Sequence, residues 1–117
     1  MSRAEPYRLT LRHGPAVDRQ RFQSLNVALD ALEARLTELG PFAGREAVNL
    51  RYRRIEPIEQ VAARGEIAGP GRLRAGVDVR GDGSTEAFTG RLRRRLVEQR
   101  PGESAYQALR RAMGTSR

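Results

Sequence analysis

Cysteine is absent from these 117 residues, which removes disulfides, thiol nucleophiles and Cys-ligated metal sites together. The single histidine, His13, excludes a two-His metal site and leaves one imidazole as a candidate general base. No continuous apolar run occurs, so residues 1–15 do not read as a secretory leader and no stretch reads as a membrane span. The expectation is a soluble, cytoplasmic chain without a membrane partner. Lysine is missing as well, so all 22 basic residues are arginine and the formal charge is +8. A complete absence of lysine is as well explained by compositional bias as by a need for guanidinium chemistry, which weakens the high isoelectric point as a sign of function. The distribution of charge says more: residues 1–90 carry 14 arginines against 12 acids, and residues 91–117 carry 8 against 2.

What is present reads as one domain over residues 1–117, long enough for a single core without metals or disulfides. The strongest periodicity lies in residues 24–40. Leu25, Leu29, Leu32, Leu36 and Leu39 recur in steps of three and four beside Ala28, with Asp30, Glu33, Arg35, Thr37 and Glu38 opposite. Ser24 suits the N-cap, and Gly40-Pro41 predicts the stop. An amphipathic helix of this kind needs a partner, either the chain's own sheet or a second copy; the layer logic of small domains favours the sheet.

Tyr7, Leu9 and Leu11 alternate with Arg8, Thr10 and Arg12, predicting a half-buried strand that ends at His13-Gly14-Pro15. Residues 16–23 predict the returning strand, with Asp18 as an earlier helix cap the competing reading. Residues 41–47 predict a loop, and a third strand begins near Val48 with Leu50 and Tyr52, until Glu56-Pro57 interrupts it. A further strand is expected over residues 58–68, closed by Gly69-Pro70-Gly71. Ala75, Val77 and Val79 lead into the hairpin turn Gly81-Asp82-Gly83-Ser84. The returning strand starts at Thr85 and is expected to carry Phe88, Leu92 and Leu96, although residues 91–99 also suit a helix. Ser104 and Gln107 form a capping-box pattern opening a short helix that runs to Met113, with Tyr106, Leu109 and Met113 inward and Gly114 at its end. The fold class expected is α+β, a largely antiparallel sheet with two helices packed on one face. Each half runs strand, glycine turn, strand, serine-capped helix, a plan that resembles the strand-strand-helix order of small DNA-binding domains at the front of tyrosine recombinases.

Chemistry is sparse. His13 sits at a turn, a surface position where it is expected to be dispensable. Ser24, Ser84 and Ser104 lack a nucleophile-elbow context, and the last two have turn or cap roles. Residues 78–86 imitate a calcium loop, but Arg80 and Thr89 stand where ligands are required. Arg80-Gly81-Asp82 spells an adhesion tripeptide that a hairpin tip explains equally well, and the glycines between Gly65 and Gly71 lack the ending of a phosphate loop. No catalytic, cofactor or metal site is therefore assigned, and a non-enzymatic role is expected.

Arg91, Arg93, Arg94 and Arg95 form the dense basic run. In a strand, Arg91, Arg93 and Arg95 share one face, and Arg100, Arg110 and Arg111 lie nearby in sequence. These six residues are the candidate contacts for a polyanion such as nucleic acid, although no aromatics interleave with them as stacking platforms. The alternative is a protein-interaction or self-assembling subunit, a homo-oligomer without a nucleic-acid role, meeting its partner through the sheet edge near Glu56-Pro57 or the helix seam.

Overall fold

The computed structural model describes residues 4–49, 61–90 and 93–115, with residues 40–49 described through their backbone alone. Six strands, β1 (Tyr7–His13), β2 (Ala16–Phe22), β3 (Val61–Gly69), β4 (Leu73–Arg80), β5 (Thr85–Thr89) and β6 (Arg95–Val97), form one sheet in the order β2-β1-β3-β4-β5-β6. Every neighbouring pair is antiparallel. Helices α1 (Leu25–Asn49) and α2 (Ala105–Ala112) pack on one face of it, so the α+β expectation holds.

The leucine stripe meets the chain's own sheet. Leu29, Leu32 and Leu36 of α1 are buried with Leu9 and Leu11 of β1, Ala63 and Ile67 of β3, Ala75, Val77 and Val79 of β4 and Ala87 of β5. Leu25 is partly buried at the margin. Gly65 of β3 lies beneath the helix leucines: an added Cβ there would collide with Leu32 Cδ1 and stand 3.0 Å from Leu36 Cδ1. The missing side chain at Gly65 is what lets α1 settle onto the sheet. From α2, Ala105 and Leu109 complete the core, with Tyr106 and Met113 packed against it.

The local signals act as their chemistry dictates. The Val27 N–H donates to Ser24 Oγ at 3.2 Å, capping α1. In α2 the capping box is reciprocal: the Gln107 N–H donates to Ser104 Oγ at 3.1 Å and the Ser104 N–H to Gln107 Oε1 at 2.7 Å. Between β4 and β5, Gly83 adopts a φ of +88° and the Arg80 N–H donates to the Ser84 carbonyl at 2.8 Å, closing the hairpin.

Four expectations need correction. Gly40-Pro41 does not stop α1, which runs on to Asn49 and takes in the predicted loop and Val48. Pro41 removes the N–H that would reach the Thr37 carbonyl, but Ala43, Arg45, Glu46 and Ala47 beyond it are strong helix formers. The expected third strand over Leu50 and Tyr52, and the Glu56-Pro57 break, lie outside the described residues. Second, the strand predicted from Thr85 through Leu96 is two antiparallel strands. Gly90, at φ +103°, reverses the chain so closely over Arg93 that a side chain there would meet the Arg93 carbonyl, and Phe88 ends up opposite Leu96. This reversal adds a strand to the second half that the first lacks, so the two halves do not share one plan. Third, the strand expected over residues 58–68 is not regular within its described part: the register slips between Val61 and Ala63, and Val61 is 41% exposed while Ala63 and Ile67 are buried. Fourth, His13 is half-buried: it shares the parity of Leu9 and Leu11 and so turns toward the helix side.

A candidate polyanion-binding face

Strand parity gives the sheet a second face, opposite the helices. The registers place its residues in rows across the strands. One row runs Arg21, Arg8, Ala68, Arg74; the next Arg19, Thr10, Glu66, Gly76, Phe88, Leu96; the third Val17, Arg12, Arg64, Asp78, Glu86.

The β3–β5 half of this face neutralises itself. Arg64 grips Asp78 with two bonds, Nε to Oδ1 at 2.5 Å and Nη2 to Oδ2 at 3.1 Å. Those bonds raise the Arg64 pKa further, against a smaller opposing effect of burial. Glu66 accepts from Arg74 at 3.0 Å and from Arg94 at 3.3 Å, and Arg80 donates to Glu86 at 2.5 Å. Phe88 lies across Gly76, whose added Cβ would stand 2.7 Å from Phe88 Cζ. An aromatic ring laid over a cross-strand glycine covers backbone that would otherwise face water. The guanidinium carbons of Arg94 and Arg64 lie 4.5 Å and 5.6 Å from the Phe88 ring centroid, and Phe88 is 2% exposed. The ring belongs to the structure of the face and offers no platform to a ligand.

The β1–β2 half is different. Arg8, Arg12, Arg19 and Arg21 are all exposed, and among the described residues none has an acidic partner. Arg8 stands directly opposite Arg21, and Arg12 directly opposite Arg64. Like charges so placed oppose sheet formation, although at Arg64 the bonds to Asp78 already offset the charge. The acid of β2, Asp18, has the opposite parity and turns toward α1, where Arg35 Nη2 donates to its Oδ2 at 2.6 Å and Arg35 Nη1 to Gln20 at 3.1 Å. The helix thus withdraws the negative charge of β2 from the arginine side.

Of the six arginines singled out by sequence, the five that are described do not form one patch. Arg91 lies outside the described residues. Because β6 begins at Arg95, the shared parity of Arg93 and Arg95 does not form; Arg93 is exposed ahead of the strand and Arg95 is exposed opposite Thr89. Arg100, Arg110 and Arg111 do come together, around an open depression of about 460 Å³ beside α2. Glu103 lines it as well, accepting from Arg111 Nε at 3.0 Å, Arg111 Nη2 at 2.9 Å and the Arg100 N–H at 2.9 Å. The Arg111 bonds first, and then that N–H, hold the Glu103 carboxyl far below its usual range, at about 2. Arg110 is 7% exposed and reaches back to α1, to Glu33 at 2.6 Å and Asp30 at 2.9 Å. Arg110 and Arg111 therefore tie α2 to its surroundings and leave little free charge for a ligand.

A count along the chain does not single out Arg8, Arg12, Arg19 and Arg21, because residues 1–90 nearly balance in charge and the only dense basic run lies after Gly90. The signal was the alternation itself, which assigns Arg8 and Arg12 to one face. Among the described residues, no group of three His, Asp or Glu side chains is disposed to hold a metal, and no helix is long and apolar enough to cross a membrane. No protein-family model, curated protein or solved structure matches the chain.

Proposed function

We propose that this domain is a non-catalytic binding module that holds polyanions, nucleic acid foremost, against the β1–β2 half of its open sheet face. The observation that supports this reading is the set of four exposed arginines, Arg8, Arg12, Arg19 and Arg21, on a surface whose neighbouring cations are already paired with carboxylates. Guanidinium groups suit phosphate because their planar donors match its oxygens two at a time. The test is retention on heparin or immobilised nucleic acid. Reversing all four to Glu is expected to abolish retention at low salt, and Arg93→Glu with Arg95→Glu is expected to reduce it much less. The opposite ranking would return the site to the C-terminal arginines.

A second reading, assembly through a sheet edge, has one observation in its favour: β2 is the outer strand of the described sheet and six of its seven residues are exposed. Leu29, Leu32 and Leu36 of the helix seam pack on the chain's own sheet, which favours the edge over the seam as the meeting surface. Gel filtration at low and high salt separates the two readings, since phosphate contacts weaken steeply with ionic strength and backbone pairing does not.

A further inference from the structure

We infer that the polyanion taken by the β1–β2 face is single-stranded nucleic acid, held by about three successive phosphates along the strands with its bases turned to solvent. The inference rests on the polyanion reading above and adds the form of the ligand.

The register sets the geometry. Arg21 and Arg8 share one row, Arg19 lies in the next beside Thr10, and Arg12 in the third beside Val17. Residues on one face recur about every 6.8 Å along a strand, and neighbouring strands lie about 4.8 Å apart. The four guanidinium groups therefore form a stripe of roughly 14 Å by 5 Å, with cationic stops spaced like the phosphates of an extended single strand. The Thr10 hydroxyl, half-buried in the middle row, adds a neutral donor between Arg8 and Arg12.

A duplex fits this stripe less well. Its second backbone lies about 6 to 12 Å away across a groove, which places it over β3 and β4. The cations there, Arg64 and Arg74, are bonded to Asp78 and Glu66, so the second strand gains no free charge. Among the described residues of this face no helix or ribbon projects to enter a groove. Base stacking is absent for a related reason: Phe88, the aromatic ring of this face among the described residues, is sealed by Arg64 and Arg94. Binding through phosphates alone is indifferent to base and to sugar.

Fluorescence anisotropy with labelled oligonucleotides of about 12 nucleotides tests this, using oligothymidylate, oligoadenylate, oligouridylate and a duplex of equal length. The single strands are expected to bind within about threefold of one another and more tightly than the duplex at 50 mM salt. The log–log salt slope for the single strand is expected near −2, so affinity falls about 20-fold between 50 and 200 mM. Arg12→Ala and Arg19→Ala are each expected to flatten that slope by about 0.7, and Arg94→Ala to leave it unchanged. Equal or tighter duplex binding, with the same arginines required, would overturn the single-strand inference and leave the polyanion reading standing. A strong preference for one base would overturn the phosphate-only mode. No binding of any oligonucleotide, with no retention on heparin, would remove the polyanion reading and this inference with it.

Discussion

Arg110 and its partners show how unequally one ion-pair cluster can be buried. The Arg110 side chain of α2 is 8% exposed, whereas the side chains of Asp30 and Glu33 on α1 are 36% and 42% exposed. Removing the arginine leaves carboxylates that water can solvate; removing the carboxylates leaves a buried cation. Arg110→Met is therefore expected to cost about 1 kcal/mol or less, and Asp30→Asn with Glu33→Gln up to about 3 kcal/mol, toward the low end for breaking a buried pair because the acids are part-exposed. Chemical denaturation of the two variants checks the order, and a larger loss for Arg110→Met would contradict it. Glu103 supplies a pH dependence at the same scale. Its carboxyl falls from the usual 4.5 to about 2 in the folded protein, first through Arg111 and then through the Arg100 N–H. The folded state is thus favoured by the charged form above about pH 4.5, and that contribution fades as pH falls toward 2. The difference in thermal midpoint between wild type and Glu103→Gln is expected to be full at neutral pH and to vanish near pH 2; a difference independent of pH would contradict the assignment.

At the scale of elements, the leucine stripe of α1 supplies the helix side of the core, and its burial was legible because a period of three and four leaves few alternatives. Leu32 is 1% exposed between β1, β3 and β4. Leu32→Ala is expected to destabilise the domain by about 2 to 5 kcal/mol in denaturant unfolding, the range for truncating a buried leucine. The serine caps and the Gly81-Asp82-Gly83-Ser84 turn were legible for the same reason: each signal is closed within four residues. Gly40-Pro41 and Gly90 were not. The first is punctuation overruled by the helix formers that follow it. The second reverses the chain through a positive φ, and nothing in the neighbouring arginines distinguishes a reversal from a continuing strand.

The whole molecule divides its charge by face, which no count along the chain reveals. Residues 1–90 come near balance in sequence, yet β1 and β2 present four arginines on one side while Asp18 is held on the other by Arg35. The C-terminal excess that dominates the sequence is partly absorbed: Arg94 covers Phe88, Arg110 crosses to α1 and Arg111 closes on Glu103. Pairing and register decide which charges stay free, and those arise from contacts between residues far apart in sequence. The most direct test is the salt concentration at which the protein leaves a heparin column. The variant carrying Arg8→Glu, Arg12→Glu, Arg19→Glu and Arg21→Glu is expected to keep its circular dichroism, since exposed substitutions cost little, and to pass through unretained while wild type and Arg93→Glu/Arg95→Glu bind. Undiminished retention of the folded quadruple variant would contradict a polyanion site on the β1–β2 face.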